Sequence, residues 1–185
     1  MKIMVTAVIL GIVSQGFAMA GTCSNFTLPG GVGITIVEYD FDAAKFNIEK
    51  CSTGDSICRI NGRSPYGVDI DYPKTYVRSI TVSLGSASYE LNVTDMYNAW
   101  GTRPLAYSGG VRYFGGECID EKNCRLRGLF SDAAGTFVAE WSIVDGWVSR
   151  TVITNSADVI ELFTKNIDPP GFEATDEATD EATDT

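Results

Sequence analysis

The chain contains no histidine. That absence removes Ser-His-Asp and Cys-His nucleophilic catalysis. It also removes zinc sites of the H-E-x-x-H kind and the easiest general base near neutral pH. Basic residues are scarce, with 14 Lys and Arg against 24 Asp and Glu. A nucleic-acid role needs a basic face to neutralise phosphates; no such cluster occurs, so no nucleic acid is expected as a partner. There is no P-loop, and no complete G-x-G-x-x-G stands before a helical pattern. Gly30-Gly31-Val32-Gly33 precedes a β-rich run and reads as a loop. No two cysteines have C-x-x-C spacing, so no metal site and no cofactor are expected.

Long apolar runs are missing too. The longest, Ile3 to Val13, is broken by Thr6 and Gly11 and is shorter than the roughly 20 residues that span a bilayer. It follows the single charge of Lys2 and leads to Ala18-Met19-Ala20, a small-x-small pattern. A positive start, a short apolar stretch and a small-residue cleavage site make residues 1–20 a signal peptide, cut after Ala20. Lipid attachment at Cys23 would want Gly or Ala before the cysteine and Leu three before it; Thr22 and Ala20 hold those places. The exported chain is expected in the periplasm or outside the cell, with no membrane insertion after cleavage.

Without Lys2 the chain carries 13 bases against 24 acids, a net charge of −11. Residues 171–185 repeat Glu-Ala-Thr-Asp and hold six of those acids with no base, leaving −5 for the body. A helix in this tail would stack Glu173, Glu177 and Glu181, whose like charges repel. With no large apolar residue after Phe172, it reads as a disordered acidic extension. Residues 21–170 form the one remaining domain, long enough to bury a core.

Five cysteines, Cys23, Cys51, Cys58, Cys118 and Cys124, are expected to cross-link after export. Cys51 with Cys58 and Cys118 with Cys124 are the close pairs, leaving Cys23 over. Cys23 paired with Cys51 or Cys58 is the alternative.

The fold class is mainly β (α+β): an antiparallel sheet or sandwich of hairpins with one short and one C-terminal α-helix. Ala44, Phe46 and Ile48 alternate with polar residues and predict a strand, as does the run Ile34 to Phe41. Tyr76, Ile80, Val82 and Leu84 alternate likewise, and Tyr89, Leu91 and Val93 continue after Gly85-Ser86. In Thr136 to Ile153, Asp145-Gly146 is a favoured two-residue turn. It pairs Ile143 with Val148, Trp141 with Arg150 and Ala139 with Val152 on one face. Val144 with Trp147 and Ser142 with Ser149 fall on the other. Arg150 over Trp141 is an expected cation–π pair. Val111 to Cys118 and Cys124 to Phe130 predict another hairpin, whose loop 119–123 sets the two cysteines opposite each other. Thr94 is placed to cap a short helix over Asp95 to Trp100, and Ser156 a longer one over Ala157 to Lys165. There Asp158 and Lys165 suit the helix dipole.

Paired carboxylates, Asp40/Asp42 and Asp69/Asp71, would each share one face of a strand. Such pairs serve glycan hydrolysis or calcium binding. Asn25-Phe26-Thr27 and Asn92-Val93-Thr94 match glycosylation acceptors. Arg63, Tyr66, Asp69, Asp71, Tyr72, Trp100, Arg103 and Tyr107 cluster in two loop-rich stretches. Aromatic and arginine side chains dominate interface energetics, so these eight residues form the expected recognition surface.

Small size, export, acidity and disulfides make a profile similar to that of periplasmic immunity proteins, which neutralise secreted toxins. The profile implies a protein partner, such as a toxin or cell-wall enzyme, and binding rather than catalysis. The alternatives are a structural envelope or surface subunit and a carboxylate-dependent glycan hydrolase. Amino-terminal sequencing of the exported protein is expected to begin at Gly21. A cytoplasmic chain that keeps Met1 and free thiols would remove the compartment and the role together.

Overall fold

Val32, Ile34 and Ile36 alternate with Gly33, Thr35 and Val37, and Ile80, Val82 and Leu84 alternate with Thr81 and Ser83. Each alternation gives one buried and one wetter face. The structure, a computed structural model, describes residues 21–52, 54–100, 113–131 and 133–166. The expected signal peptide, the acidic tail, Arg103 and Tyr107 lie outside the described residues. Strands run β1 Gly21–Leu28, β2 Val32–Asp40, β3 Ile48–Lys50, β4 Ile57–Ile60, β5 Thr75–Leu84, β6 Ala87–Leu91, β7 Phe114–Asp120, β8 Asn123–Phe130, β9 Phe137–Val144 and β10 Trp147–Thr154. One α-helix follows, α1 Ala157–Asn166. The mainly β class with a C-terminal helix is therefore observed.

Two four-stranded antiparallel sheets form, in the orders β1-β2-β5-β6 and β7-β8-β9-β10, and β3 pairs with β4 as a separate ribbon. One contiguous core takes Ile34, Ile36, Ile80 and Val82 from the first sheet, and Leu126, Phe130, Phe137, Trp141 and Ile143 from the second. The sheets thus close on each other as a sandwich. Phe130 stacks on Phe137 at 5.2 Å and meets Trp141 edge-on at 6.0 Å. Phe137, Val138 and Ala139 are all buried, so β9 is covered on both faces there. The second cover is α1, which contacts β8 and β9. Its Phe163 is buried and lies 5.3 Å beneath the Arg127 guanidinium. Arg127 in turn pairs with Glu140 at 3.1 Å.

Cys51–Cys58 and Cys118–Cys124 are both disulfides, and Cys23 is free and exposed on β1. The Asp145-Gly146 turn has positive φ at both residues and sets the expected pairs Ile143/Val148, Trp141/Arg150, Val144/Trp147 and Ser142/Ser149. Beyond Arg150 a bulge shifts the register, so Ala139 faces Ile153 instead of Val152. The hairpin over Cys118 and Cys124 is tighter than its expected five-residue loop: strand pairing continues through a bulge to Asp120/Asn123, leaving Glu121-Lys122 as the turn.

Three local readings are corrected. The expected strand over Ala44 to Glu49 is reduced to Ile48–Lys50. Asp42 Oδ1 accepts from Ala44 N and caps a 3-10 turn at Ala43–Lys45 instead. No helix forms over Asp95 to Trp100. Asp95 and Asn98 have φ of 69° and 42°, and this segment's backbone bonds to Tyr66, Thr75 and Val77 rather than to itself. The Asn98 side chain secures that path, accepting from Lys74 N and Thr75 N and donating to Gly67 O. Arg150 makes its hydrogen bond to the Thr94 carbonyl, at 2.6 Å, in place of the expected stacking on Trp141.

Glu38 holds the same segment from β2. Its Oε1 accepts from Thr75 Oγ1 at 2.7 Å and from Ala99 N at 2.9 Å, in a site where the residue is only 5 % exposed. Burial raises its carboxyl above the ordinary range, against the lowering effect of those two bonds. Folding therefore favours the protonated acid. Its stabilising contribution is complete below the unfolded-state pKa and is lost as pH rises through the folded one. Glu38→Gln keeps the Oε1 acceptor without the charge. It is expected to raise the melting temperature near neutral pH by about 2–4 °C, with the gain shrinking as the pH is lowered. Glu38→Ala strands both donors and is expected to cost about 1–3 kcal/mol. Thermal melts by circular dichroism across the acidic range check both; a gap between wild type and Glu38→Gln that ignores pH contradicts this account.

Candidate binding groove

Of the eight expected recognition residues, the six that are described do not converge on one surface. Trp100 is buried, its indole donating to Ser24 Oγ at 3.2 Å and packing against Phe26 and Phe114. It is core. Asp69, Asp71 and Tyr72 are exposed on a bend rather than a strand, so Asp69 and Asp71 lose the shared face that their spacing implied. Asp40 ends β2 while Asp42 caps the 3-10 turn and pairs with Lys45 at 3.5 Å. That carboxylate pair also falls on no common strand face. Among the described residues no group of three metal-ligating side chains occurs.

Arg63 and Tyr66 both converge on Asp95. Arg63 reaches Asp95 at 3.6 Å, and Tyr66 packs on Phe137 at 5.9 Å while its backbone brackets Asp95 and Tyr97. Arg150 lies within electrostatic reach of both; burial lowers its pKa, and Asp95 opposes that shift. Burial, with Asp95 adding, pushes the Tyr97 phenol up to about 12, so no base for neutral-pH chemistry comes from it. The cluster ties loop 61–66 to the segment that replaced the expected helix.

A different surface stands open at the hairpin end of the sandwich. The turns β5–β6, β7–β8 and β9–β10 are joined there by side-chain and backbone hydrogen bonds. Glu121 accepts from Ser86 N and Ser86 Oγ, and its carbonyl accepts from the Tyr89 hydroxyl at 2.8 Å. Lys122 O accepts from Gly146 N at 3.0 Å, and Asn123 Oδ1 from Asp145 N. Asp120 Oδ1 accepts from Lys122 N, and both its carboxylate oxygens accept from Asn123 Nδ2. These bonds keep the Asp120 carboxyl below its ordinary range and so ionised. Gly85, at φ +56°, lets Glu121 press against the β5–β6 turn where a Cβ would collide with its carboxylate. The Gly30-Gly31 turn reaches the same end, sharing a cleft with Gly85, Asp120 and Glu121.

On the outer face beside these turns, Trp147 is 82 %, Ile119 84 % and Val144 58 % exposed. A groove of about 400 Å³ lies over β7, β8 and β9, lined by Glu117, Ile119, Asn123, Arg125, Ser142 and Val144. Helix α1 covers the far part of this face, around Val138 and Arg127, and leaves this part bare. Cross-strand pairing sets Trp147 against Val144 at the groove's edge and Glu117 against Arg125 within it. Trp, Ile and Val are thus exposed on one outer face, with Glu117 and Arg125 exposed beside them.

The sequence pattern already paired Val144 with Trp147 on the face opposite Trp141. The missing information was that this face carries no cover at its tip. Comparison with protein-family models, with curated proteins and with solved structures finds no match for this chain.

Of the three tryptophans, Trp100 and Trp141 are buried and Trp147 alone is exposed. Trp147→Ser is expected to change stability by about 0.5 kcal/mol or less. Trp141→Ala, which empties the core and strands the Asn92 carbonyl that its indole satisfies, should cost about 3–5 kcal/mol. Urea unfolding followed by circular dichroism measures both, and comparable losses would contradict the assignment of faces.

Proposed function

We propose that this is an exported binding protein of the periplasm or cell exterior, which neutralises a secreted toxin or envelope enzyme by covering part of its surface, in the manner of an immunity protein. The single observation that carries the reading is the apolar triad Ile119, Val144 and Trp147 held on hydrogen-bonded turns. A pre-ordered indole gives a partner contact area without a large ordering cost.

Other features support it. Two disulfides are consistent with an oxidising or extracellular environment, and no helix among the described residues is long and apolar enough to cross a membrane. The body's net negative charge favours encounter with a basic partner. The paired acids that motivated a glycan hydrolase share no strand face, and no observation favours that reading.

Affinity capture with the mature, oxidised protein from envelope and secreted fractions is the test. Wild type is expected to retain a partner at one-to-one stoichiometry, and Trp147→Ser to weaken it by about thirtyfold or more. No stoichiometric partner, or a partner bound equally well by Trp147→Ser, would overturn the proposal.

A further inference from the structure

Helix α1 advances along the outer face toward the groove. Strand β10 ends at Thr154 opposite Val138, and α1 begins shortly after, at Ala157. Its Phe163 lies beneath Arg127. Arg127 is in register with Glu140, nearer the Asp145-Gly146 turn than Val138 is. The next row on the same face is Arg125 with Ser142, and both line the groove. Successive rows on one face of a strand are about 7 Å apart. The chain therefore leaves α1 at Asn166 within a few residues' reach of the groove.

The residues that follow Asn166 suit the groove chemically. Ile167 and Phe172 are the last large apolar side chains of the sequence. Asp168 is the one acid between Asn166 and Phe172, and Pro169-Pro170 come next. Consecutive prolines hold a chain extended at about 3.1 Å per residue, which sets Asp168 and Phe172 roughly 12 Å apart. Arg125 and the apolar pair Ile119 and Val144 stand about one row apart on the sheet, a span that side chains of this length bridge. Arg125 is exposed and, among the described residues, forms no ion pair. It offers Asp168 an opposite charge. Glu117, facing Arg125, and Asp120 at the tip repel the six acids from Glu173 onward. The charges thus admit residues 167–172 and turn the acidic repeats away.

We infer that residues 167–172 fold back over the groove, seating Phe172 against Ile119 and Val144 and pairing Asp168 with Arg125, so that a target must displace them. The inference rests on the reading of the groove as a binding face and adds its regulation. A short tether gives an effective concentration on the order of mM, so a contact too weak to hold a separate peptide keeps the groove covered. The two prolines lower the cost of ordering the segment. Trp147, on the neighbouring strand β10, stays open for a target's first contact.

Paramagnetic broadening in the mature, oxidised protein tests this, with a nitroxide on Ala174→Cys in a Cys23→Ser background. Amide signals of Ile119, Arg125 and Val144 are expected to lose about half their intensity or more, because a tethered contact is mostly formed. Signals of Phe130 and Phe137, toward the other end of the sheet, should keep theirs, and their unchanged positions verify the fold of each variant. Phe172→Ser is expected to cut the broadening by about threefold or more. Asp168→Arg alone and Arg125→Asp alone should each cut it by about twofold or more, and the double exchange should restore it. No broadening at the groove, broadening indifferent to Phe172→Ser, or a double exchange that fails to restore it overturns the inference. Broadening that persists when nitroxide and isotope label are on separate molecules assigns the groove to a second copy, and also overturns it. Capture of a target through Trp147 by a chain that shows no broadening removes the cover and leaves the target reading standing. Broadening of the expected kind with no captured target removes the latter alone. Where both stand, Phe172→Ser should tighten the captured complex by about threefold or more, and an unchanged affinity overturns the regulation.

Discussion

Neither four-stranded meander has anywhere to bury its apolar face except against the other. Ile34, Ile36, Ile80 and Val82 have no cover within the first sheet, and Phe130, Phe137, Trp141 and Ile143 have none within the second. A sheet with one bare apolar face is marginal alone, so the two halves stabilise each other. The remaining architecture follows from that closure. The helix need cover only part of the outer face of the second sheet, and loops run where the sandwich edges leave backbone groups to satisfy.

The most demanding of these loops is the stretch from Asn92 to Trp100, which makes isolated bridges from Met96 to Tyr66 and from Tyr97 to Tyr76. Met96, Tyr97, Ala99 and Trp100 are buried, and many of the stretch's polar groups are satisfied by partners far away in sequence. Glu38 accepts from Ala99 N, Asn98 serves Lys74, Thr75 and Gly67, and the Asn92 and Thr94 carbonyls accept from Trp141 and Arg150. Burying a carboxylate without a cation is costly. Here that cost is set against two hydrogen bonds that hold the crossing in place.

The same economy of cover creates the groove. With α1 packed on β8 and β9 through Phe163 at one end of the outer face, the hairpin end is left to Ile119, Val144 and Trp147. Turn-to-turn hydrogen bonds through Glu121, Lys122 and Asn123 make that end firm. A firm apolar surface with exposed charges of both signs beside it is the feature on which the proposed recognition of a partner rests.

Much of this was legible in the chain itself, and for a local reason. Apolar alternation with a period of two marks β2, β5, β8 and β9. Asp145-Gly146 sets its own hairpin register, and the spacings of Cys51 with Cys58 and Cys118 with Cys124 match short hairpin closures. Ser156, Asp158 and Lys165 marked the C-terminal helix. Each of these signals is complete within a few residues. Thr94 signalled a helix just as locally, but long-range bonds from Tyr66, Thr75 and Glu38 prevailed there. Arg63 was legible as surface and is exposed, and Tyr66 is half-buried, whereas only packing could assign Trp100 to the core and Trp147 to solvent. Strand identity and turn type are properties of neighbouring residues. Which of a strand's two faces meets the core, and how far a helix covers the other, depends on distant parts of the chain, and so was decided by the tertiary structure alone.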